Sequence, residues 1–300
     1  MKRDFISMLD LTQDEIHQIF ELSNTLKTSL KKGVAHKVLS DKTLAMIFEK
    51  PSLRTRVTFE TGMTQLGGHA IYLAPTDARL GTRETIADGA KNLSRWVDVI
   101  MARVFAHKTV EDLAKNSSIP VINGLSDLEH PCQIMADLFT VIEKKGSLDG
   151  VVIAYVGDGN NVCNSFIAAA RILGFQLRIA TPPGYEPAGH YLEQTNTVSL
   201  SGDPRVAIQD ADIIYTDVWA SMGQEKEAAQ RREIFLPFQI NRSLLESATR
   251  DFLVMHCLPA HRGEEITDAV IDGPESIVFD QAENRLHVQK AIMTWLIERS

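Results

Sequence analysis

Short, largely apolar runs without alternation recur along this chain, and several are followed by a stretch of helical period. Thr43-Leu44-Ala45-Met46-Ile47-Phe48 and Val151-Val152-Ile153-Ala154-Tyr155-Val156 are the clearest. A strand that alternates with polar residues can leave one face in water, but a run without alternation needs cover on both faces. That is the condition of a parallel strand between helices. Further runs at residues 70–73, 99–105, 120–123, 177–180, 213–216, 252–256 and 277–279 read as strands. The segments after Ser52, Glu84 and Thr109, from about Cys132 to Lys144, and through Ile167 and Leu173 read as helices. The expected fold is α/β, with two open, mostly parallel sheets and helices on both faces of each.

Thr12-Gln13-Asp14-Glu15 is a capping box ahead of Ile16, Ile19, Phe20 and Leu22, and it starts the first long helix. A chain of 300 residues can bury two cores. Lys144-Lys145-Gly146-Ser147 is the expected passage between domains over 1–146 and 147–283, and Val288, Ile292, Trp295 and Leu296 mark a last helix within 284–300. A net charge of -8 argues against a nucleic-acid-binding surface, and the longest basic clusters are pairs such as Lys31-Lys32 and Arg231-Arg232. No stretch approaches a membrane-spanning run, and Met1-Lys2-Arg3 has no apolar segment behind it, so a cytoplasmic location is expected. Cys132, Cys163 and Cys257 leave an odd thiol and no Cys-x-x-Cys pair, which fits a reducing compartment. His130 with Cys132, and His256-Cys257 with His261, are zinc-ligand types without the paired spacing of a structural zinc site, so no metal is expected.

The junction Glu49-Lys50-Pro51-Ser52-Leu53-Arg54-Thr55-Arg56 joins an apolar run to a helix start. Pro51 stops the strand, Ser52 is a good N-cap, and Phe59, Met63 and Leu66 recur at helical spacing. The amides of Leu53, Arg54, Thr55 and Arg56 then fall in a first turn, where they lack intrahelical acceptors and attract an anion. The helix dipole adds roughly 0.3–2 kcal/mol, Ser52 and Thr55 add hydroxyls, and Arg54 adds a fork suited to phosphate oxygens. An ordinary capped helix with its arginines in water fits these residues equally well. Gly157-Asp158-Gly159 invites a dinucleotide reading, but Val162 holds the third glycine position and the next strand ends at Ala180-Thr181-Pro182 without an acid for a ribose. A tight strand-to-helix turn explains these glycines, and Asn161 emerges where open α/β sheets bind ligands.

Other motifs lie far away in the chain: His130-Pro131-Cys132-Gln133, Asp217-Val218-Trp219-Ala220-Ser221-Met222-Gly223 and His256-Cys257-Leu258-Pro259. With Ser52-Leu53-Arg54-Thr55-Arg56 they resemble the carbamoyltransferases, and the last two resemble the ornithine-specific branch. The resemblance runs from Leu9-Asp10-Leu11 to Glu283-Asn284-Arg285. It implies a carbamoyl phosphate-binding domain over 1–146 with 284–300 packed back on it, an ornithine-binding domain over 147–283, an active site in the interdomain cleft, and a homotrimer. The implied reaction moves the carbamoyl group of carbamoyl phosphate to the δ-amine of L-ornithine, giving L-citrulline and phosphate, with no cofactor, metal, nucleic acid or membrane involved.

Carried over position by position, the resemblance implies that Ser52, Arg54, Thr55 and the amide of Leu53 hold the phosphate. Arg103 reaches phosphate and carbonyl oxygen, His130 donates to that oxygen, Gln133 accepts from the carbamoyl nitrogen, and Cys257, Leu258 and Arg285 complete the carbamoyl phosphate site. Asn161, Asp217, Ser221 and Met222 surround the amino-acid head group, with Asp217 on the α-ammonium. Arg103, His130, Cys257 and Asp217 carry the catalytic roles. Blander readings exist: His130 as a satisfied structural histidine, Asp217 as a strand-end turn residue, Cys257 as an inert buried thiol. Leu53 stands where many relatives carry Thr, and Arg79 where the family often has Gln, in a loop that reaches a neighbouring subunit's site. Arg79 suits phosphate and suits a solvated loop equally. The charged run from Gln224 to Arg232 shows no apolar period and is expected to be a mobile loop that closes on substrate.

The nearest alternative is another acceptor amine, N-acetylornithine, putrescine or aspartate; Asp217 opposes the aspartate carboxylate. A binding-only relative is opposed by the joint presence of Arg54, Arg103, His130, Gln133, Asp217, Cys257 and Arg285.

Overall fold

The structure is a computed structural model that describes residues 2–77, 80–193, 195–220, 225–248 and 251–300. It divides into two compact units, Met1–Phe139 with Glu283–Ser300, and Thr140–Ala282.

The first unit is built on a four-stranded sheet of order β2-β1-β3-β4, from β1 (Thr43–Phe48), β2 (His69–Leu73), β3 (Val99–Arg103) and β4 (Val121–Leu125). All pairings are parallel. From Leu44 to Phe48, β1 is buried throughout, as its unbroken apolarity requires. Its helices include α1 (Gln13–Lys31), α2 (Leu53–Gln65), α3 (Ile86–Leu93) and α4 (His107–Asn116). The capping box is formed: the Glu15 amide donates to Thr12 Oγ1 at 3.3 Å and the Thr12 amide to Glu15 Oε2 at 2.9 Å. Register pairs Phe48 with Arg103, so the loop after β1 and the end of β3 share the carboxyl edge of the sheet. The β3–β4 register shifts between Ala102 and Arg103, and β3 ends there rather than running on to Phe105. One unit boundary falls inside α5 (Pro131–Lys145), the other inside the last helix, Val278–Ile297.

The second unit carries a five-stranded parallel sheet of order β7-β6-β5-β8-β9, from β5 (Val152–Val156), β6 (Gln176–Ala180), β7 (Val198–Ser201), β8 (Ile213–Thr216) and β9 (Leu253–His256). After β5 the chain turns into α6 (Asn161–Leu173). A Cβ on Gly159 would lie 2.2 Å from the Pro187 nitrogen, so this turn admits only glycine. Register pairs Thr216 with His256, which sets Asp217 and Cys257 side by side at the carboxyl edge.

Three further expectations are corrected. Residues 277–279 form no strand: a single bridge joins Val254 to Ser276, and from Val278 the chain is helical. Three apolar residues are too few to carry a period, and the helix-forming stretch behind them wins. The charged run is not a loop where it is described: a 3-10 turn at Glu225–Glu227 leads into a helix at Ala228–Phe235 with Arg231 buried, while Gln224 lies outside the described residues. The helix expected after Thr109 starts earlier, at His107. Strand β7 was not expected; it is an edge strand with two exposed residues and two serines. Among the described residues no helix is long and apolar enough to cross a membrane.

Candidate functional site

In the first unit the expected residues gather around Thr55. Ser52 caps α2 by accepting from the Thr55 amide at 3.3 Å, which places Leu53, Arg54 and Thr55 in the first turn. Thr55 is buried, and its hydroxyl oxygen accepts from two guanidinium groups: Arg103 Nη1 at 3.5 Å, from the end of β3, and Arg285 Nη2 at 3.3 Å, from the last helix. Arg285 also donates from Nη1 to Gln133 Oε1, and Gln133 Nε2 donates to Asp137 Oδ1 at 2.8 Å. Gln289, with its amide oxygen turned to Arg285, accepts from Nε at 3.0 Å and Nη2 at 2.8 Å. These bonds aim Arg285 at the start of α2. Arg56 turns elsewhere, over the Tyr72 ring at 3.8 Å and toward Glu60 at 3.4 Å. The Leu53 side chain is 75% exposed, so Leu53 contributes its backbone rather than its side chain to the first turn.

His130 immediately precedes α5 and is buried. Burial holds its imidazole well below the usual pKa of 6.5, and the positive charges of Arg285, Arg103, Lys50 and Arg54 push it further down. The ring is therefore neutral at physiological pH and carries one N–H donor. Lys50 is buried with its ammonium 4.6 Å from the centre of the Phe105 ring; burial first, and Arg103 second, lower its pKa. The start of α2 is thus surrounded by cations, a setting that suits an anion.

In the second unit Asp217 is the centre. It follows β8, is buried, and its Oδ1 accepts from the Val218 amide at 2.8 Å and from Cys257 Sγ at 2.9 Å. Its Oδ2 accepts from Asn160 Nδ2 at 2.8 Å. Asn161 is the first residue of α6 and half-buried, while Asn160 is the cap. Behind Cys257, His256 and Glu265 are fully buried and joined, Nε2 to Oε1, at 3.0 Å. His256 Nδ1 accepts from the Leu258 amide at 2.8 Å, so the ring proton is on Nε2 and faces Glu265. Leu258 has a φ of +57°, in the left-handed region. Arg231, from the helix Ala228–Phe235, pairs with Asp158 at 3.1 Å and donates to the Trp219 carbonyl at 2.8 Å. Burial pushes the Asp158 carboxyl up to about 6 against the downward pull of Arg231.

The structure therefore brings together Ser52, Leu53, Arg54, Thr55, Arg103, His130, Gln133 and Arg285 in one unit, and Asn161, Asp217, Cys257 and Leu258 in the other. Arg79, Ser221, Met222 and Gly223 lie outside the described residues. Asn160, Glu265 and Arg231 were not among the expected residues. Only Asn160 carries a local signal, an asparagine directly before a helix; the other two reach their partners through the tertiary fold. Metal-ligand atom types meet at Asp217, His256 and Cys257, and at His261, Glu264 and Glu265, each set within 4.8 Å. Within these sets Cys257 is bonded to Asp217, and His256 to Glu265.

Comparisons with known proteins match both halves of the chain. Residues 3–143 match the family described as aspartate/ornithine carbamoyltransferase, carbamoyl-P binding domain, and residues 149–296 match aspartate/ornithine carbamoyltransferase, Asp/Orn binding domain. The ornithine carbamoyltransferase of Pyrococcus horikoshii is 56% identical over 98% of this chain and 96% of its own. The anabolic ornithine carbamoyltransferase of Pyrococcus furiosus is 56% identical over 97% of this chain and 95% of its own. A solved structure of ornithine carbamoyltransferase from Pyrococcus furiosus superposes with a TM-score of 0.95 at 54% identity, covering 99% of this chain and 97% of that one.

Proposed function

The chain belongs to the aspartate/ornithine carbamoyltransferase family, and from that premise we propose that it transfers the carbamoyl group of carbamoyl phosphate to the δ-amine of L-ornithine, releasing L-citrulline and phosphate. The observation that carries the reading is the convergence of Arg103 and Arg285, remote in sequence, on the hydroxyl of Thr55 in the first turn of α2. Two forks and a helix N-terminus suit a phosphorylated substrate.

In this proposal Ser52, Arg54, Thr55 and the Leu53 amide hold the phosphate, and Arg103 and Arg285 neutralise it. Attack on the carbamoyl carbon builds negative charge on its oxygen, and Arg103, Thr55 and neutral His130 supply donors to it. Such preorganised donors are commonly the largest catalytic contribution. Gln133 Oε1 accepts from Arg285, and the proposal assigns the second lone pair of that oxygen to the carbamoyl nitrogen. The Leu258 carbonyl is assigned to the same amino group. Asp217 pairs the α-ammonium of ornithine, with Asn161, Ser221 and Met222 beside it. A δ-amine with a lysine-like pKa near 10.4 costs about 4–5 kcal/mol to deprotonate at pH 7. The proposal assigns Cys257 to take that proton while passing its own to Asp217, and the Cys257–Asp217 hydrogen bond at 2.9 Å supports the second transfer.

The same proposal assigns 1–146 with 284–300 to carbamoyl phosphate and 147–283 to ornithine, and includes a cytoplasmic homotrimer, tested by mass in sedimentation. Its main test is product formation from carbamoyl phosphate with ornithine, N-acetylornithine, putrescine or aspartate offered separately. Citrulline from ornithine alone is expected; product with another amine instead overturns the ornithine half.

A further inference from the structure

We infer that Asn160 is a positioning residue for Asp217 and, through it, for the α-ammonium of the amino-acid substrate. The inference rests on the ornithine reading above and adds a residue to it.

Asn160 Oδ1 accepts from the Val162 amide at 2.9 Å and the Cys163 amide at 3.3 Å, and the Tyr155 hydroxyl, shared with the Asp158 carbonyl, lies 3.1 Å away. Burial holds the Tyr155 pKa well above its usual value, so this hydroxyl keeps its proton and remains a donor. Donors crowd one end of the amide, and its orientation is thereby fixed: the oxygen belongs to the helix start and the nitrogen must face the other way. There it meets Asp217 Oδ2 at 2.8 Å, across 57 positions of sequence.

A helix cap alone does not require asparagine. Serine, aspartate and asparagine cap about equally well, because all supply an acceptor. Only asparagine adds a donor at the opposite end of the same short side chain. That donor closes the set on Asp217, whose Oδ1 is already engaged by the Val218 amide and the Cys257 thiol. The carboxylate cannot rotate without breaking three bonds, so it offers the substrate an acceptor in a fixed direction. Asn160 ties that direction to the rigid start of α6.

The test compares Asn160→Ser and Asn160→Asp with the unsubstituted protein. Both keep the cap; the first loses the donor, and the second sets a like charge against Asp217. Expected is a rise in the KM for ornithine of about 10- to 100-fold for Asn160→Ser, the value of a hydrogen bond to a charged group, and more for Asn160→Asp, with the KM for carbamoyl phosphate unchanged. Inhibition by L-norvaline, which keeps the α-ammonium, should weaken by the same factor, while inhibition by 5-aminopentanoate, which lacks it, should not move. An unchanged ornithine KM overturns the inference. So does equal weakening of both inhibitors, which is what a disturbed helix start would produce. If Asn160→Ser does not fold, the same comparison with Asn160→Asp decides. Absence of citrulline from the unsubstituted protein is a separate failure and overturns the ornithine reading itself.

Discussion

In the first unit Lys50, Arg54, Arg103 and Arg285 surround a threonine and a neutral histidine, whereas in the second unit one carboxylate, Asp217, is surrounded by three donors. The first arrangement concentrates positive charge around the start of α2. Like charges held close repel one another, and burial has already lowered the pKa of Lys50 and His130. An anion would relieve that repulsion. The second arrangement is complete by itself: Asp217 is hydrogen-bonded and fixed before any ligand arrives. The difference teaches that one half of the proposed site gains from its ligand while the other half pays its ordering cost in advance, during folding.

The sharpest way to break the comparison is to remove a cation. Arg103→Leu is expected to lower kcat/KM by about 10²–10³-fold in steady-state kinetics, as for loss of a donor to a developing oxyanion. A fall of less than tenfold would remove Arg103 from that role. Asp217→Asn comes next, with the KM for ornithine raised about 10- to 100-fold and phosphate protection against heat unaltered. A ligand comparison follows: inorganic phosphate at 100 times its Kd should stabilise the protein by about 2.7 kcal/mol in thermal melts. No rise in Tm at any phosphate concentration would mean that the cation cluster is not a phosphate seat.

The pH dependence of His130 is a gentler probe. Its folded pKa lies below 6.5, so below pH 6.5 the unfolded chain binds the proton that the folded one refuses. This group's contribution to stability is therefore full above pH 6.5 and is lost as pH falls toward the folded pKa. Urea midpoints measured from pH 7.5 downward should decline, and His130→Asn should flatten the decline; parallel slopes would place the cause in other groups. The smallest expected effect lies outside both half-sites. Thr12→Ala removes the cap of α1 and should cost about 1 kcal/mol of stability with both KM values unmoved.

Much of the fold was legible because β1 after Thr43, and β5, are apolar without alternation and capped helices follow them. Strand β7 was hidden for the opposite reason: Val198-Ser199-Leu200-Ser201 is half polar and lies at a sheet edge, so little of it is obliged to be apolar. The early helix start at His107 carries no side-chain cap, which removed the usual signal. Within the site, Ser52 and Thr55 could be read from local helix-start chemistry, because they sit where a strand pattern meets a cap. Arg103, His130, Gln133, Asp217 and Arg285 were reached through the family resemblance, since their meeting depends on packing. The twin asparagines Asn160-Asn161 show the limit most plainly. Sequence alone does not say which of them caps the helix, and the one that does also bonds to Asp217.

Leu258 shows what such a site means for anyone altering the protein. A leucine with a φ of +57° sits in a conformation that disfavours it by roughly 1–2 kcal/mol, and the buried His256–Glu265 pair holds its amide in place. A search for stabilising changes would select this position early, and glycine would be the obvious replacement. Glycine relaxes the backbone there, and it also frees the carbonyl that the leucine conformation points. In the proposed reading that carbonyl faces the carbamoyl amino group, so the change would lower turnover, while losing the leucine side chain from its packing on the second unit's core would offset the backbone gain at a position that looks, by its local geometry, like a defect waiting to be repaired.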